Sequence, residues 1–549
     1  MTDTAGYLRT LARAKAQTDS ERWAEAAGLW EQVVAANPVN GNHWDRLAQA
    51  RFESHDYAGA LVAYEKVRDL GVWDQRETVF PSAVWYRIAC CHARLGDAEE
   101  ALRALGRAVE LGLRDLEQAS RDEHLASLHA NERVREVLGL SDVDCAGRDE
   151  GWRADLRFFA REVRRRAYRP AGSHLGPAVD ELHAAVPELS DAQLLVRLCE
   201  LVATLGDGHA FVEAPEERAD LRMSLPLQLF LFADGPFVTA AAPEHEALLG
   251  AQVLAFDGEP VERVVSAVDR TIGRDNEHGP TAVVPWRLVR TAFLHGLGMV
   301  GDPASVTLTV RSPDGATRTV PVAAQPAPAT LPRVLPCPAG WRFLPETLTE
   351  PLPLYLRNCG ASYWYTSLAP QRLTYFQLNR VADDPGEPLA AFVERLFAAI
   401  AVAGSDRLVI DLRWNGGGNT FLTPPLLHRL IACDRVNRAG GLFVIIGRRT
   451  FSAAQNLATL IGDHTRAIFV GEPTGSSPTF VGETIPFRLP YSGFCVNVSD
   501  LYWQTSWPMD HRSWIAPELY APPTFAAYAA NRDPAMEAIL SCDEHLPGW

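Results

Sequence analysis

The chain has 549 residues, of which 47% are hydrophobic and 22% are charged, and this composition excludes collagen-like, low-complexity and wholly disordered proteins. A single hydrophobic core rarely grows beyond about 300 residues, so the length predicts several domains. With 52 basic and 68 acidic residues the formal net charge is −16, which disfavours nucleic acid or an anionic membrane surface as a partner.

Targeting signals and cysteine spacing indicate the cellular compartment. The first residues lack the continuous apolar stretch of a signal peptide, and no run of about 18 uncharged apolar residues occurs along the chain. The nine cysteines are an odd number without C-x-x-C spacing, which is typical of reduced thiols. We therefore expect a soluble cytoplasmic protein that does not associate with a membrane.

Residues 1–114 contain an internal repeat. The pattern at residues 23–27, which has small side chains beside an aromatic one, recurs 34 positions later at 57–61 and loosely at 98–102. A 34-residue period of paired amphipathic helices resembles tetratricopeptide repeats, in which stacked helices bury small and aromatic residues. The repeats either form a groove for a partner protein or act as a packing scaffold for the next domain.

Residues 115–222 are predicted to form a helical connector, because their apolar positions recur at helical spacing. The three arginines at 164–166 are expected on a solvated face of one of its helices. A segment at 205–210, Leu-Gly-Asp-Gly-His-Ala, lies near the end of this region.

Residues 223–325 change to alternating apolar segments joined by Asp-Gly turns at 234–235, 257–258 and 314–315. This pattern predicts short strands connected by tight turns. The segment 248–265 resembles a PDZ-type module, in which a strand carries G-x-x-V-L-x-x-D-G-x-P-V before a helix. Such folds bind chain ends by strand addition.

The last predicted domain covers residues 326–549. It opens with a proline-rich linker, at 325–353, and the rest is predicted to form an α/β core. Continuous apolar strands alternate there with amphipathic helices, and the strands are placed at 373–378, 408–412, 442–446 and 467–470. Such an alternation predicts a parallel sheet covered on both faces. The expected fold class is therefore multidomain, with helical repeats, a helical connector, a β module and an α/β core.

Two strand-to-helix turns in this core carry the candidate chemistry. One strand runs into an Arg-Trp-Asn-Gly-Gly-Gly segment at 413–418, and the next strand runs into a helix that begins beside Ser452. Both turns are expected at the carboxyl edge of adjacent parallel strands, so they should share one crevice. Amides at a helix N-terminus favour negative charge, which suits a nucleophile with an oxyanion hole. Alternatively, Ser452 is an N-cap and the glycines form a tight turn.

The combination of motifs resembles the tail-specific, or C-terminal processing, serine peptidase family. D-L-R-x-N-x-G-G at 411–418 is followed by T-F-S-A-A at 450–454 and V-G-E-P-T-G at 470–475. The upstream D-G-H at 207–209 matches a short segment of that family, and the resemblance spans roughly residue 200 to the C-terminus. It implies the crotonase- or ClpP-like core fold and a substrate that is a peptide or protein chain.

The resemblance also implies which group serves as general base. In the bacterial processing branch the base is a lysine after V-G-E-x-T-G, yet Ser476 follows here and the only lysines are Lys15 and Lys66. The branch resembling the tricorn protease core uses a histidine of the upstream segment, and His209 stands at the matching place. A neutral imidazole can take a serine proton at cytoplasmic pH. That branch has a serine before the histidine, where this chain has Gly208.

The family's terminal segment implies an acid that assists His209, about half a dozen residues before a proline. Asp510 fits this place best, with His511 beside it, and Glu483 is a rival. The alternative for Asp510 is a salt bridge to Arg512.

Other polar residues have simpler interpretations. His428 and His464 are expected at the surface or at a helix cap. The loop at 274–278 combines acidic side chains with a histidine, but adjacent residues of one loop seldom converge on an ion. We expect a solvated turn there, and neither a metal nor a cofactor for the protein.

The leading hypothesis is a serine peptidase in which Ser452 attacks the carbonyl, His209 shuttles the proton with help from Asp510, and the amides of Gly417 and Ala453 hold the oxyanion. An alternative is a non-catalytic ligand- or peptide-binding protein, since interphotoreceptor retinoid-binding protein resembles the same core. A scaffold that acts through its repeats is a third hypothesis. A homo-oligomer is also expected, because relatives of this fold often assemble.

Overall fold

The computed structural model of the chain describes residues 4–72, 81–113, 115–129, 131–138, 147–168, 174–327 and 338–542. It divides into two compact units, Met1–Asp144 and Cys145–Trp549. No helix of the described residues combines the length and apolar character needed to cross a bilayer. Cys145 and Cys337 lie outside the described residues, and the described cysteines are free thiols.

The first unit is a succession of helices in which neighbours along the chain pack together. Those described are α1 Thr4–Asp19, α2 Trp23–Ala36, α3 Gly41–Glu53, α4 Tyr57–Leu70, α5 Pro81–Leu95, α6 Ala98–Glu110, α7 Leu116–Arg121 and α8 Glu132–Leu138. Residues 34 positions apart are buried alike, Trp30 with Tyr64 and Ala26 with Ala60. The sequence period is therefore a period of buried positions, as stacked helix pairs require.

The hydrophobic core of the first unit continues beyond the boundary expected at residue 114. Leu125, Leu128 and Val134 pack in the same core as the buried residues of the repeats. The helical spacing of residues 115–138 was enough to predict helices but could not show which core they join. These residues belong to the repeat unit, because their apolar side chains cover its last helices.

A helical lobe opens the second unit, with helices α9 Arg148–Arg166, α10 Leu175–Ala185 and α11 Asp191–Ala203. The prediction of a solvated arginine face at 164–166 is wrong for Arg166. This side chain is buried, pairs with the buried Glu162 at 2.9 Å and donates a hydrogen bond to the Pro486 carbonyl. The arginine therefore ties α9 to a distant part of the chain.

The next elements along the chain, most of which form an antiparallel module, are β1 Phe211–Glu213, β2 Met223–Ser224, β3 Leu227–Phe232, β4 Gly235–Ala241, β5 Gln252–Phe256, β6 Glu259–Pro260, α12 Val261–Asp269, α13 Pro280–Leu288, α14 Thr291–Gly296, β7 Ser305–Arg311, β8 Thr317–Ala323, β9 Gln325–Pro326 and β10 Arg342–Phe343. The main sheet has the order β10-β4-β5-β7-β8, with β3 beside β4 and β6 beside β5. Because β10 pairs with β4, the linker expected at 325–353 is partly strand.

One of the predicted tight turns is tied to a neighbouring strand of this sheet. At the turn between β5 and β6, Asp257 and Gly258 both have positive φ, at 47° and 85°. The Asp257 carboxylate accepts the backbone N–H groups of Gly301 and Thr307, which ties the turn to β7. An Asp-Gly pair suits this place because Asp tolerates the left-handed region and Gly has no Cβ.

The α/β core has the elements β11 Tyr363–Leu368, β12 Leu373–Leu378, α15 Leu389–Ala403, β13 Arg407–Asp411, α16 Pro424–Ala432, β14 Leu442–Ile446, α17 Ala453–His464, β15 Ile468–Gly471, β16 Thr479–Arg488, β17 Cys495–Gln504, β18 Leu519–Tyr520, α18 Phe525–Tyr528 and α19 Pro534–Leu540. Its sheet has the order β11-β12-β13-β14-β15-β18. The strands are parallel except β11.

Both faces of this sheet are covered, as the apolar strands predicted. On one face Phe376 and Val444 pack with the helices α15, α16 and α17. On the other face Tyr375 and Phe443 pack with Met536 of α19. Side chains of successive strand residues therefore pack into the two hydrophobic cores on opposite faces of the sheet.

A third sheet joins distant parts of the sequence in the order β1-β17-β16. It packs against the helical lobe, where Trp152 and Leu156 of α9 meet Phe494 and Val496. The D-G-H segment at 207–209 precedes β1, and the V-G-E-P-T-G segment precedes β16. This sheet therefore brings the two segments towards the core.

Candidate active site

The two predicted turns meet at the carboxyl edge of the core sheet. β13 and β14 are adjacent and parallel, with Asp411 opposite Ile445. After β13, Gly417 approaches the serine so closely that a Cβ on it would lie 2.7 Å from the Ser452 Cβ and 3.1 Å from its Oγ. Its φ of 112° is also one that side chains rarely adopt. Only glycine fits here, and the shared crevice is present.

Ser452 lies on a sharp turn between β14 and α17. Its φ is 57° and its ψ is −125°, an uncommon conformation for any residue with a side chain. Ser452 occupies the N-cap position of α17, but its hydroxyl makes no capping hydrogen bond to the helix. Backbone strain of this kind clusters at functional sites, and a strained strand-to-helix turn is the way a nucleophilic serine is presented.

The two predicted oxyanion donors differ in their present hydrogen bonds. Ala453 opens α17, so its N–H is among the first-turn donors that no carbonyl within the helix can accept. The Gly417 N–H donates instead to the Asn415 Oδ1 at 2.9 Å. The buried Asn415 is itself fixed, because its Nδ2 donates to the Leu378 carbonyl at 2.9 Å.

His209 lies against the residue that precedes the serine. Its ring is 4.4 Å from the Phe451 ring and stacks on the Phe480 ring at 5.5 Å between centroids. Both ring nitrogens are buried, and no side chain or backbone group of the described residues makes a hydrogen bond of good geometry with them. Burial lowers the pKa of His209 to about 4, and the nearby Val481 backbone offsets part of this effect.

The backbone that carries His209 is held by two carboxylates. Asp207 is buried and accepts the N–H of His209 at 2.8 Å and that of Ser499 on β17 at 2.9 Å. Gly208 donates its N–H to Asp275 at 2.9 Å. The loop is therefore fixed, whereas the imidazole packs against aromatic rings and, in the described part of the chain, makes no hydrogen bond of good geometry to Ser452.

Within the described residues, neither predicted acid makes a hydrogen bond to a ring nitrogen of His209. The Asp510 carboxylate accepts the Ser506 hydroxyl at 2.6 Å and pairs with Arg512 at 2.7 Å. The hydrogen bond from Arg512 lowers the pKa of Asp510 far below its ordinary value. Glu483 is exposed at a positive φ of 67° on β16. The salt-bridge alternative for Asp510 is therefore the arrangement that the structure contains.

Two residues that the sequence did not identify complete the site. Asp275 accepts the hydroxyl of Ser476, at the place where the resemblance would put a lysine. Asn276 is buried and donates to the Thr474 and Ser513 carbonyls at 3.1 and 2.7 Å. The solvated turn expected at 274–278 is thus wrong for these two. No group of three or more His, Cys, Asp or Glu among the described residues is placed to hold a metal.

No family model and no curated protein matches the chain. Among solved structures, the chain is similar to mature CPAF complexed with lactacystin, with 15% identity over 71% of this chain and 97% of that one and a TM-score of 0.50. It also aligns with the photosystem II D1 C-terminal processing protease (16% identity, 71% and 96% coverage, TM-score 0.35) and the tricorn protease (12%, 70% and 36%, TM-score 0.30). Two of these neighbours are named as proteases. The likeness to mature CPAF shows a shared fold over 71% of this chain.

Proposed function

We propose that the chain is a serine peptidase that cleaves peptide or protein chains, with Ser452 as nucleophile. The observation that carries this proposal is the approach of Gly417 to Ser452 on a strained turn that opens α17. A turn with a purely structural role would require neither a strained backbone at Ser452 nor a hydroxyl that caps no helix. The fold shared with CPAF supports the same conclusion.

In the proposed reaction the Ser452 oxygen attacks the scissile carbonyl, and the carbonyl oxygen becomes an oxyanion. Its donors would be the N–H groups of Ala453 and Gly417, and a Cβ on Gly417 would lie 3.1 Å from the Ala453 nitrogen. The Gly417 N–H first has to leave the Asn415 Oδ1. Since Asn415 is fixed by Leu378, the peptide before Gly417 is the part that turns, and glycines make that rotation inexpensive.

His209 is the proposed general base. Its low pKa leaves the imidazole neutral at pH 7, which is the form that accepts a proton. To reach the hydroxyl, the ring has to move out of its stack with Phe451 and Phe480. Catalytic hydrogen bonds often tighten only when substrate is bound, so substrate entry is the step we assign to this movement. Asp510 would act as orienting acid only after it separates from Arg512.

A fluorophosphonate probe, which labels an activated serine, tests the proposal. Wild type should be labelled, whereas Ser452→Ala and His209→Ala should not. Ser367→Ala, which removes an exposed hydroxyl from β11, is the matched control and should label as wild type does. Folded wild-type protein that neither labels nor cleaves any peptide would favour the non-catalytic binding protein instead.

The remaining assignments complete the proposal. The helices of the first unit would act as tetratricopeptide repeats that recruit a partner protein, and the β module would bind chain ends as PDZ domains do. We place the protein in the cytoplasm, without nucleic acid or membrane as partner, and as a homo-oligomer. Size-exclusion chromatography with light scattering tests the oligomer, and a pull-down with the isolated first unit tests recruitment.

A further inference from the structure

A groove of about 570 Å³ lies beside the glycine turn that approaches Ser452. One wall is Gly416, Gly417 and Gly418, and Arg380 and Arg449 line it as well. We call it the arginine groove. Because Gly417 lies close against Ser452, the arginine groove adjoins the turn that carries the proposed nucleophile.

The charge of the arginine groove is opposite to that of the chain. Its lining includes the two arginines and no Asp or Glu, whereas the whole chain has a net charge of −16. A concave surface with one sign of charge concentrates ligands of the other sign. The groove therefore suits an anionic part of a substrate.

Arg380 is positioned without being neutralised. It is exposed, and its Nη2 donates to the Ser362 hydroxyl at 3.2 Å, while that hydroxyl donates to Asp384 at 2.7 Å. The hydroxyl thus stands between the guanidinium and the carboxylate. Among the described residues no carboxylate pairs directly with Arg380, although arginines in this chain commonly form such pairs.

The backbone around Arg380 is rigid. The N–H groups of Asn379 and Arg380 both donate to the Ser362 carbonyl, at 2.7 and 3.2 Å. The Asn379 side chain donates to the Ala361 carbonyl at 3.0 Å. The guanidinium therefore projects from a fixed base, which reduces the entropy lost when it binds a ligand.

We propose that the arginine groove selects peptides with an acidic side chain near the scissile bond, and that Arg380 determines this specificity. The inference rests on the proposed peptidase function. A guanidinium can form two parallel hydrogen bonds with a carboxylate, and such charge-assisted pairs discriminate strongly against the neutral amide. Arg449 adds a second positive charge to the same groove.

The test uses end-blocked fluorogenic peptides that differ by a single Glu, Gln or Lys moved along the sequence. Wild type should cleave the Glu peptide roughly tenfold faster than the Gln peptide at one position, measured as kcat/KM. Arg380→Gln should bring that ratio near one, mainly through KM. Arg380→Glu should favour the Lys peptide. Arg435→Gln, which removes an exposed and weakly paired charge elsewhere in the core, should keep the wild-type ratio.

Binding separates this inference from the proposed function. Fluorescence anisotropy with Ser452→Ala measures the same Glu and Gln peptides without turnover, and the roughly tenfold preference should persist in Kd and weaken with salt. A ratio near one at every position, or a ratio unchanged in Arg380→Gln, overturns the inference even if Ser452 cleaves peptides. A preference that appears only when the terminal carboxylate is left unblocked also overturns it. If wild type cleaves none of the peptides but the Glu preference in Kd is present, the peptidase function is overturned and the groove remains a site that binds acidic peptides.

Discussion

The turn that carries Ser452 and the loop that carries His209 lie in the same unit but differ in what fixes their reactive atoms. At the turn, a positive φ and the close approach of Gly417 determine where the hydroxyl lies. In the loop, Asp207 and Asp275 fix the backbone, yet the imidazole packs against two aromatic rings and has no well-formed hydrogen bond among the described residues. The proposed nucleophile is therefore preformed, whereas the proposed base has a position it can leave.

The largest expected effect comes from a substitution in the turn that carries Ser452. Ser452→Ala removes the attacking atom, so peptide turnover should fall on the order of 10⁴-fold or more. Because the hydroxyl caps nothing, the free energy of unfolding should hardly change. Steady-state kinetics and thermal unfolding measure both. Activity within roughly tenfold of wild type would show that Ser452 is not the nucleophile.

The next effect concerns the base. His209→Ala should lower kcat by roughly 10³-fold, since general-base catalysis contributes about 10²–10⁴. In wild type kcat/KM should fall below the pKa of His209, which is about 4, because protonated imidazole cannot accept the serine proton. The acid limb should therefore lie well below pH 6.5 and be missing in the variant. A limb that persists in His209→Ala assigns the base to another group, such as His511.

The same pKa predicts a pH-dependent stability. In the unfolded chain His209 has its ordinary pKa of 6.5, so between about pH 4 and 6.5 the unfolded state binds more protons. Stability should rise with pH through this window by at most about 3 kcal/mol. His209→Leu should flatten that part of the curve, which urea unfolding at several pH values measures.

Local sequence patterns were sufficient to predict the turn that carries Ser452. Apolar strands, the glycines after β13 and a serine before a helix are all short-range signals, and they placed Gly417 beside Ser452. The partners of Asp275 are 67 and 201 residues away from it in sequence, so nothing near 274–278 could reveal its role. Arg166 was misjudged for the same reason, because its Pro486 contact is 320 residues distant. Pairing over such distances is decided by packing.

A smaller effect is expected where the loop is anchored. In Asp275→Asn the amide can still accept the Gly208 N–H, but its Nδ2 cannot accept the Ser476 hydroxyl. We expect kcat to fall by roughly tenfold with KM little changed, because Asp275 acts as a positioning residue and does not touch substrate. The control is Asp269→Asn, which breaks the partly exposed ion pair between Asp269 and Arg274. Equal losses in both variants would reduce Asp275 to a general stabilising role.

The backbone strain at Ser452 should lower the free energy of unfolding, and a glycine variant should relieve it. Ser452→Gly removes the side chain that makes a φ of 57° costly, so the variant should be more stable by roughly 1 kcal/mol although it is inactive. Ser452→Ala keeps the strain and should not gain this stability. Urea unfolding of the two variants compares them directly. A glycine variant no more stable than the alanine variant would show that the turn is not strained.

The smallest expected effect comes from removing the first unit. All the residues proposed for catalysis lie in Cys145–Trp549, so a chain truncated at this boundary should cleave a short unstructured peptide within about twofold of wild type. If the repeats recruit a protein substrate, KM for that substrate should rise while kcat stays constant, because only binding common to ground and transition states is lost. Truncation at residue 114 would instead leave Leu125, Leu128 and Val134 without their core, and that chain should be less soluble. A soluble truncated unit that has lost activity on the short peptide would mean that the repeats support the site, and recruitment would no longer be needed to explain them.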